Sequence, residues 1–246
     1  MRRAASAEAV RREPSLCAAR PLRYSAETTE PANREIDMPT DDRPPAAPVT
    51  FADGVLDRYR HVCVFTSNGR HDDDVLDAFV SQGLEAGDRL LYLVDPVESA
   101  APVQRLRHLG YDAGELLAQH RCEIRTWTDT YLRTGRFELD DMLVQLEQML
   151  PDRTLPRIRL VADMGWAASL TDDADDLIEF EARANFVHAR HEHVVICSYD
   201  TQQFDGSFII DVLRTHPIVL VGGVLQENPF FVPPAELLEE RVRRNR

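Results

Sequence analysis

The stretch HVCVFTSNGRHDDDVLDAFVSQGL, residues 61–84, decides the fold. It begins with a short aliphatic and β-branched run. A polar loop follows, and then a segment whose apolar residues Leu76, Phe79, Val80 and Leu84 recur at helical spacing. Strand, loop and helix in that order are the repeating unit of a parallel sheet, and the same alternation continues down the chain. RLLYLVD (89–95), CEIRTW (122–127), RIRLVAD (157–163), HVVICSYD (193–200) and PIVLVGG (217–223) complete six predicted strands. Several are apolar on both faces, so helices must cover both sides of the sheet.

The predicted helices lie between those runs. Leu139, Met142, Leu143, Leu146, Met149 and Leu150 step by three and four until Pro151 stops the helix. Leu177, Phe180, Ala184 and Val187 form the next stripe, and Phe208, Ile209, Val212 and Leu213 another, ended by His216-Pro217. Residues 98–120 read as one helix broken at Leu109-Gly110, where glycine admits the left-handed cap. The expected class is therefore α/β, three-layered, with a mostly parallel sheet between helices. A folded segment of about 200 residues buries roughly 70% of its unfolded surface, enough for an independent core.

The loop TSNGRHDDD (66–74) stands where a phosphate-binding strand–helix turn would carry GxxxxGK[ST]. It has one glycine, Gly69, and the 246-residue chain has no lysine at all. Asp72, Asp73 and Asp74 also supply carboxylates to the helix N-terminus, the place a phosphate would need. A nucleotide triphosphate brought there meets like charge. Amine chemistry through a Schiff base is excluded with the lysine.

The chain carries 28 basic and 42 acidic residues, a net charge of −14. Residues 1–48 contain eight arginines and eight acids, so the whole excess belongs to residues 49–246. That surface repels nucleic acid, which needs a basic patch to displace counterions. Arg241, Arg243, Arg244 and Arg246 are the local basic cluster, and they suit the C-terminal end of a helix dipole. Residues 1–48 show neither helical nor strand periodicity and are expected to be a disordered tail. Met38, which opens MPTDDRPPAAPV, is a candidate initiation site. Residues 49–238 are expected to form the domain and 239–246 a basic C-terminal end. No apolar run is long enough to span a membrane, and Cys17, Cys63, Cys122 and Cys197 include no CxxC pair. The expectation is a cytoplasmic protein with free thiols.

Several positions could carry chemistry. Asp163 ends a hydrophobic strand, as a magnesium-holding acid does in nucleotide hydrolases, but the phosphate loop it would work with is missing. Trp166 beside it offers apolar area and one donor. Glu181, Asn185 and His188 fall at i, i+4 and i+7 on one helical face. They would make either a polar ligand surface or an ordinary solvated face. His188, His191 and His193 cross from a helix end into a strand, and no metal site is expected from that spacing. Nothing in the chain reads GxSxG, HExxH or a calcium loop, so no catalytic residue, metal or cofactor is assigned.

Taken together, HVCVF, LEAGDRLLYLVD, WTDTYLRTGRFELDDML, DMGW, LIEFEARAN, ICSYD and DVLRTHPIVLVGGVLQENPFFVPP resemble the MEDS sensory domain of methanogen and methylotroph regulators, over roughly residues 58–238. The resemblance implies a RecA-like fold without a P-loop that senses a small organic molecule. It also implies a non-enzymatic role coupled to a kinase, anti-sigma or transcription regulator. Candidate ligand positions carried over by motif are Asp163, Trp166, Glu181, Tyr199, Asp200, His216, Glu227 and Asn228. No helix-turn-helix or kinase follows residue 238, so the signal is expected to pass to a regulatory protein in trans. The alternatives are a ligand-free adaptor and a degenerate nucleotide-binding protein using Asp163 and Glu181.

Overall fold

The computed structural model describes residues 48–51, 54–67, 73–150, 156–170 and 174–244. The expected tail with Met38, most of the TSNGRHDDD loop including Asp72, the side chain of Asp73, Pro151 and Arg246 lie outside the described residues. Asp74 is exposed in the first turn of its helix.

Among the described residues, a short antiparallel hairpin, β1 (Val49–Phe51) and β2 (Gly54–Leu56), precedes the main sheet. The sheet then alternates with helices: β3 (His61–Thr66), α1 (Asp73–Glu85), β4 (Arg89–Val94), α2 (Ala101–His108), α3 (Ala113–Ala118), β5 (Cys122–Thr126) and α4 (Leu139–Met149). β6 (Ile158–Asp163), α5 (Ala174–His188), β7 (Val194–Asp200), α6 (Gly206–Thr215), β8 (Ile218–Val221), β9 (Val224–Glu227) and α7 (Pro234–Arg244) follow. The seven strands stand in the order β5-β4-β6-β7-β3-β8-β9. All neighbours are parallel except β8 and β9, which form an antiparallel edge pair across the Gly222-Gly223 turn. Both glycines have positive φ, 56° and 77°, a conformation side chains resist. The fold is three-layered α/β with a mostly parallel sheet, and β3 lies inside the sheet between β7 and β8.

Alternation along the strands sorts the core into two halves. Val62, Val64, Ile196 and Leu220 pack with Leu76, Phe79 and Val80 of α1, and Leu106 of α2 and Leu116 of α3 join the same cluster. Cys63, Cys197 and Tyr199 face the other way, toward Met142 and Leu146 of α4, Leu177, Phe180 and Ala184 of α5, and Val212 of α6. The break between α2 and α3 comes at Gly110, with φ of 85°, and Asp112 then caps α3 by accepting from Glu115 N at 3.0 Å.

One close approach on the α1 side gives a sign that propensity alone would miss. A Cβ added at Gly83 would lie 2.5 Å from Cδ and 2.6 Å from Nε of Arg159. Alanine normally stabilises a helix interior by about 1 kcal/mol over glycine. Gly83→Ala is instead expected to destabilise the protein by about 1–3 kcal/mol through overpacking, because Arg159 is pinned by its own ion pair. Urea denaturation checks the direction, and a raised midpoint would refute it.

Candidate functional site

A buried polar cluster occupies the interface between α5 and the sheet, toward the amino ends of β3 and β8. β3 contributes His61, its first residue, and β7 contributes Cys197 and Tyr199. In the parallel register Cys63 lies beside Cys197 and Phe65 beside Tyr199, so period two aims His61, Cys63, Cys197 and Tyr199 at one face. From above, α5 presents Glu181, Asn185 and His188. The junction between α6 and β8 adds Thr215 and His216.

Every member of this group is buried, Glu181 and His61 to 1% exposure and His216 completely. The α5 face of Glu181, Asn185 and His188 is therefore not solvated, and the ordinary reading of that spacing is corrected here. Buried polar groups need partners, and most of these have them. Tyr199 donates its hydroxyl to Glu181 Oε1 at 2.8 Å. Glu181 Oε2 lies 3.3 Å from His61 Nε2 and 3.7 Å from His216 Nε2. Cys197 Sγ is 3.5 Å from the same His61 nitrogen. Asn185 donates to the carbonyls of Glu181 and Thr215 at 3.0 and 2.8 Å, and its Oδ1 faces His61 Nδ1 at 3.2 Å. Two nitrogens, His216 Nε2 and His188 Nδ1, are buried with no hydrogen-bond partner.

The electrostatics follow from burial and the mixture of groups. Burial pushes the Glu181 carboxyl up, but His61, His216 and Tyr199 together outweigh it and hold the group below the usual carboxylate range. Burial pulls His216 down to about 3, helped by His61 and opposed by Glu181, so this ring is neutral. His188 is driven well down for the same reason. The Cys197 thiol and Tyr199 phenol are pushed up, first by burial and then by the Glu181 charge.

A second group of polar residues gathers at the carboxyl ends of the strands. Asp163 ends β6, half-buried, and accepts from Gly165 N at 2.9 Å. Burial raises its carboxyl above the ordinary range. The Gly165 bond opposes that, and the charges of Asp95 and Glu98 add to it. Trp127 Nε1 donates to the Asp163 carbonyl at 2.9 Å. Asp200 ends β7 and accepts from Gln202 N at 3.0 Å. Gly165 lies under this group. A Cβ there would come within 3.2 Å of Asp163, 3.3 Å of Trp127 and 3.4 Å of Gln203.

The predicted positions thus divide. Glu181, Tyr199 and His216 meet in the buried cluster, whereas Asp163 and Asp200 sit at strand ends. Trp166 is 2% exposed and packs in the core, stacked on Tyr131 at 4.6 Å and beside Phe137 at 5.1 Å. Glu227 is exposed on the edge strand β9. Asn228 is a clamp, donating to the carbonyls of Leu213 and His216 at 2.6 and 2.8 Å and so fixing the chain that carries His216. His61, Cys197 and the role of Asn185 were missed. Their signal was a histidine at the head of an apolar strand with the same parity as Cys63.

The fold and site define a three-layered α/β protein whose sequence lacks a P-loop and which carries a polar centre sealed beneath one helix. A family model described as "MEthanogen/methylotroph, DcmR Sensory domain" matches residues 60–217. The chain belongs to this MEDS family of sensory domains. The matched segment ends at Pro217, so GGVLQENPFFVPP lies beyond it. Over 80 residues the chain is 34% identical to the transcriptional repressor DcmR of Methylorubrum extorquens. That stretch spans 31% of this chain and 30% of the repressor. Among solved structures, the flagellar accessory protein FlaH from Methanocaldococcus jannaschii is similar with a TM-score of 0.45 and 12% identity, covering 68% of this chain and 76% of FlaH. Among the described residues, no helix is long and apolar enough to cross a membrane.

Proposed function

We propose that the protein is a non-enzymatic cytoplasmic sensor that binds a small organic molecule and passes its state to a regulatory protein in trans. The observation that carries this reading is the match of residues 60–217 to a sensory-domain family. The partial likeness to a transcriptional repressor supports a regulatory output. The ligand site we favour is the crevice at the carboxyl ends of β6 and β7, the usual position in open α/β sheets. There Asp163, Trp127 and Gln203 surround the small Gly165, and Asp200 ends the neighbouring strand.

Thermal-shift screening of the full chain against a panel of small organic metabolites tests this. A ligand present at a hundredfold its Kd stabilises by about 2.7 kcal/mol, a shift of several degrees. Asp163→Asn is expected to abolish that shift while leaving the unliganded midpoint nearly unchanged. A protein that binds no member of the panel, yet still controls its regulatory partner, would be an adaptor and would overturn the sensor reading.

A further inference from the structure

His61 Nε2, Glu181 Oε2, Cys197 Sγ and His216 Nε2 all lie within 4.8 Å of one another. Three of the separations are 3.3, 3.5 and 3.7 Å. Metal–donor bonds of about 2.0–2.3 Å at tetrahedral angles put ligand atoms roughly 3.3–3.8 Å apart. These edges already have the lengths of a tetrahedral site.

The surroundings fix which atoms face inward. His216 Nδ1 is 2.9 Å from the Val212 carbonyl, which can only accept, so the ring proton sits on Nδ1. Thr215 gives its own hydroxyl proton to the same carbonyl at 2.8 Å and can accept from Nδ1 at 2.9 Å. The Asn185 amide is oriented by its two donor bonds, which leaves Oδ1 as acceptor for His61 Nδ1–H. Both rings therefore turn bare Nε2 lone pairs toward the carboxylate. Metal-bound histidines are held in this way, with the far nitrogen donating to a carbonyl or amide oxygen.

A cation has to sit among these lone pairs, and a proton is an incomplete answer. Placed on His61 Nε2 it would join that ring to Glu181, but His216 Nε2 would remain buried without a hydrogen-bond partner. A divalent ion satisfies all four donors together. We propose that His61, Glu181, Cys197 and His216 form a closed, four-coordinate site for a divalent transition metal of the zinc class. Two imidazoles, a thiolate and a carboxylate suit zinc and exclude calcium or magnesium, which take oxygen. Loading releases the Cys197 thiol proton to solvent, and the thiolate and carboxylate then neutralise the dication. No net charge is left in the core. With four protein ligands, none more than 4% exposed, the ion has no open position, which marks a structural site rather than a catalytic one. It would tie together β3, β7, α5 and the α6–β8 junction. Cys63 stands apart, its thiol directed at the Ile218 carbonyl at 3.8 Å.

The site is independent of the sensory reading, and cobalt(II) is the probe that tests it. The full chain, stripped with a chelator, is titrated with Co(II) and then with Zn(II). The expected result is one equivalent bound, with the intense visible bands of tetrahedral cobalt and a thiolate-to-cobalt charge-transfer band in the near ultraviolet, all bleached by one equivalent of zinc. Cys197→Ser should lose the charge-transfer band, and His216→Ala should lose the tetrahedral spectrum. Binding of no cobalt, or a spectrum unchanged by both substitutions, would overturn the site. If the variants do not fold, X-ray absorption of the zinc-loaded wild type decides. One sulfur at about 2.3 Å upholds the site, and a shell of nitrogen and oxygen alone refutes it.

Discussion

Asp88→Ala is expected to lower the stability of the protein by about 3–5 kcal/mol, the cost of breaking a buried ion pair from one side. Asp88 is 3% exposed, at the foot of β4, and its two oxygens accept from Arg157 Nε at 3.0 Å and Arg159 Nε at 2.9 Å. Arg159 is itself 2% exposed, lies 5.0 Å over the Phe79 ring and donates to the Phe79 carbonyl at 2.9 Å. Burial already pulls the Arg159 guanidinium below its ordinary range, and Asp88 is the main opposing influence. Without that carboxylate a cation stays in the core uncompensated. The urea midpoint should fall with an unchanged m-value. Asp88→Leu combined with Arg159→Met should recover most of the loss, because the apolar pair avoids both desolvation costs. A single Asp88→Ala variant within about 1 kcal/mol of wild type would refute the account.

β3, β4, β6 and β7 were legible because both faces of each are buried, which leaves nearly continuous apolar runs. The break at Gly110 was legible for a local reason, the need for positive φ. β1, β2 and β9 were not. Strands of three residues carry too little periodicity, and β9 is an edge whose residues are mostly exposed. The sequence does show a turn at Gly222-Gly223, but nothing local says that the chain returns to pair with β8.

The site was half legible. Glu181, Tyr199 and His216 could be singled out, but nothing in the sequence says that they meet. A carboxylate on a helix reads as solvated until its neighbours from other elements are known, and here they are His61, Tyr199 and His216. Within a strand, His61 and Cys197 look like any half-apolar position. Only the register of β3 against β7 shows that they share a face with Tyr199.

Asn185→Leu is expected to cost about 3 kcal/mol or more although leucine keeps the branched outline of asparagine. The amide donates to the carbonyls of Glu181, Thr215 and, at 3.5 Å, Ala182, and accepts toward His61. A buried polar group left unpaired costs about 1–3 kcal/mol. The Glu181 carbonyl is in α5 and keeps its place in the helical ladder, so the main losses are at Thr215 and His61 Nδ1. Leucine recovers part of this through apolar burial, but it cannot orient the ring. His61 is then free to change tautomer or tilt away from Glu181, and the carboxylate loses the neighbour that most lowers its pKa. The effect should therefore have two readouts. Urea denaturation gives the stability, and proton–nitrogen NMR of the imidazoles reports whether His61 still carries its proton on Nδ1. Asn185→Asp keeps the acceptor and should preserve that tautomer better than leucine, although it adds a second carboxylate beside Glu181. If Asn185→Leu retained both wild-type stability and the Nδ1–H signal, the amide would be a bystander, and the inward aim of the His61 lone pair would need another cause.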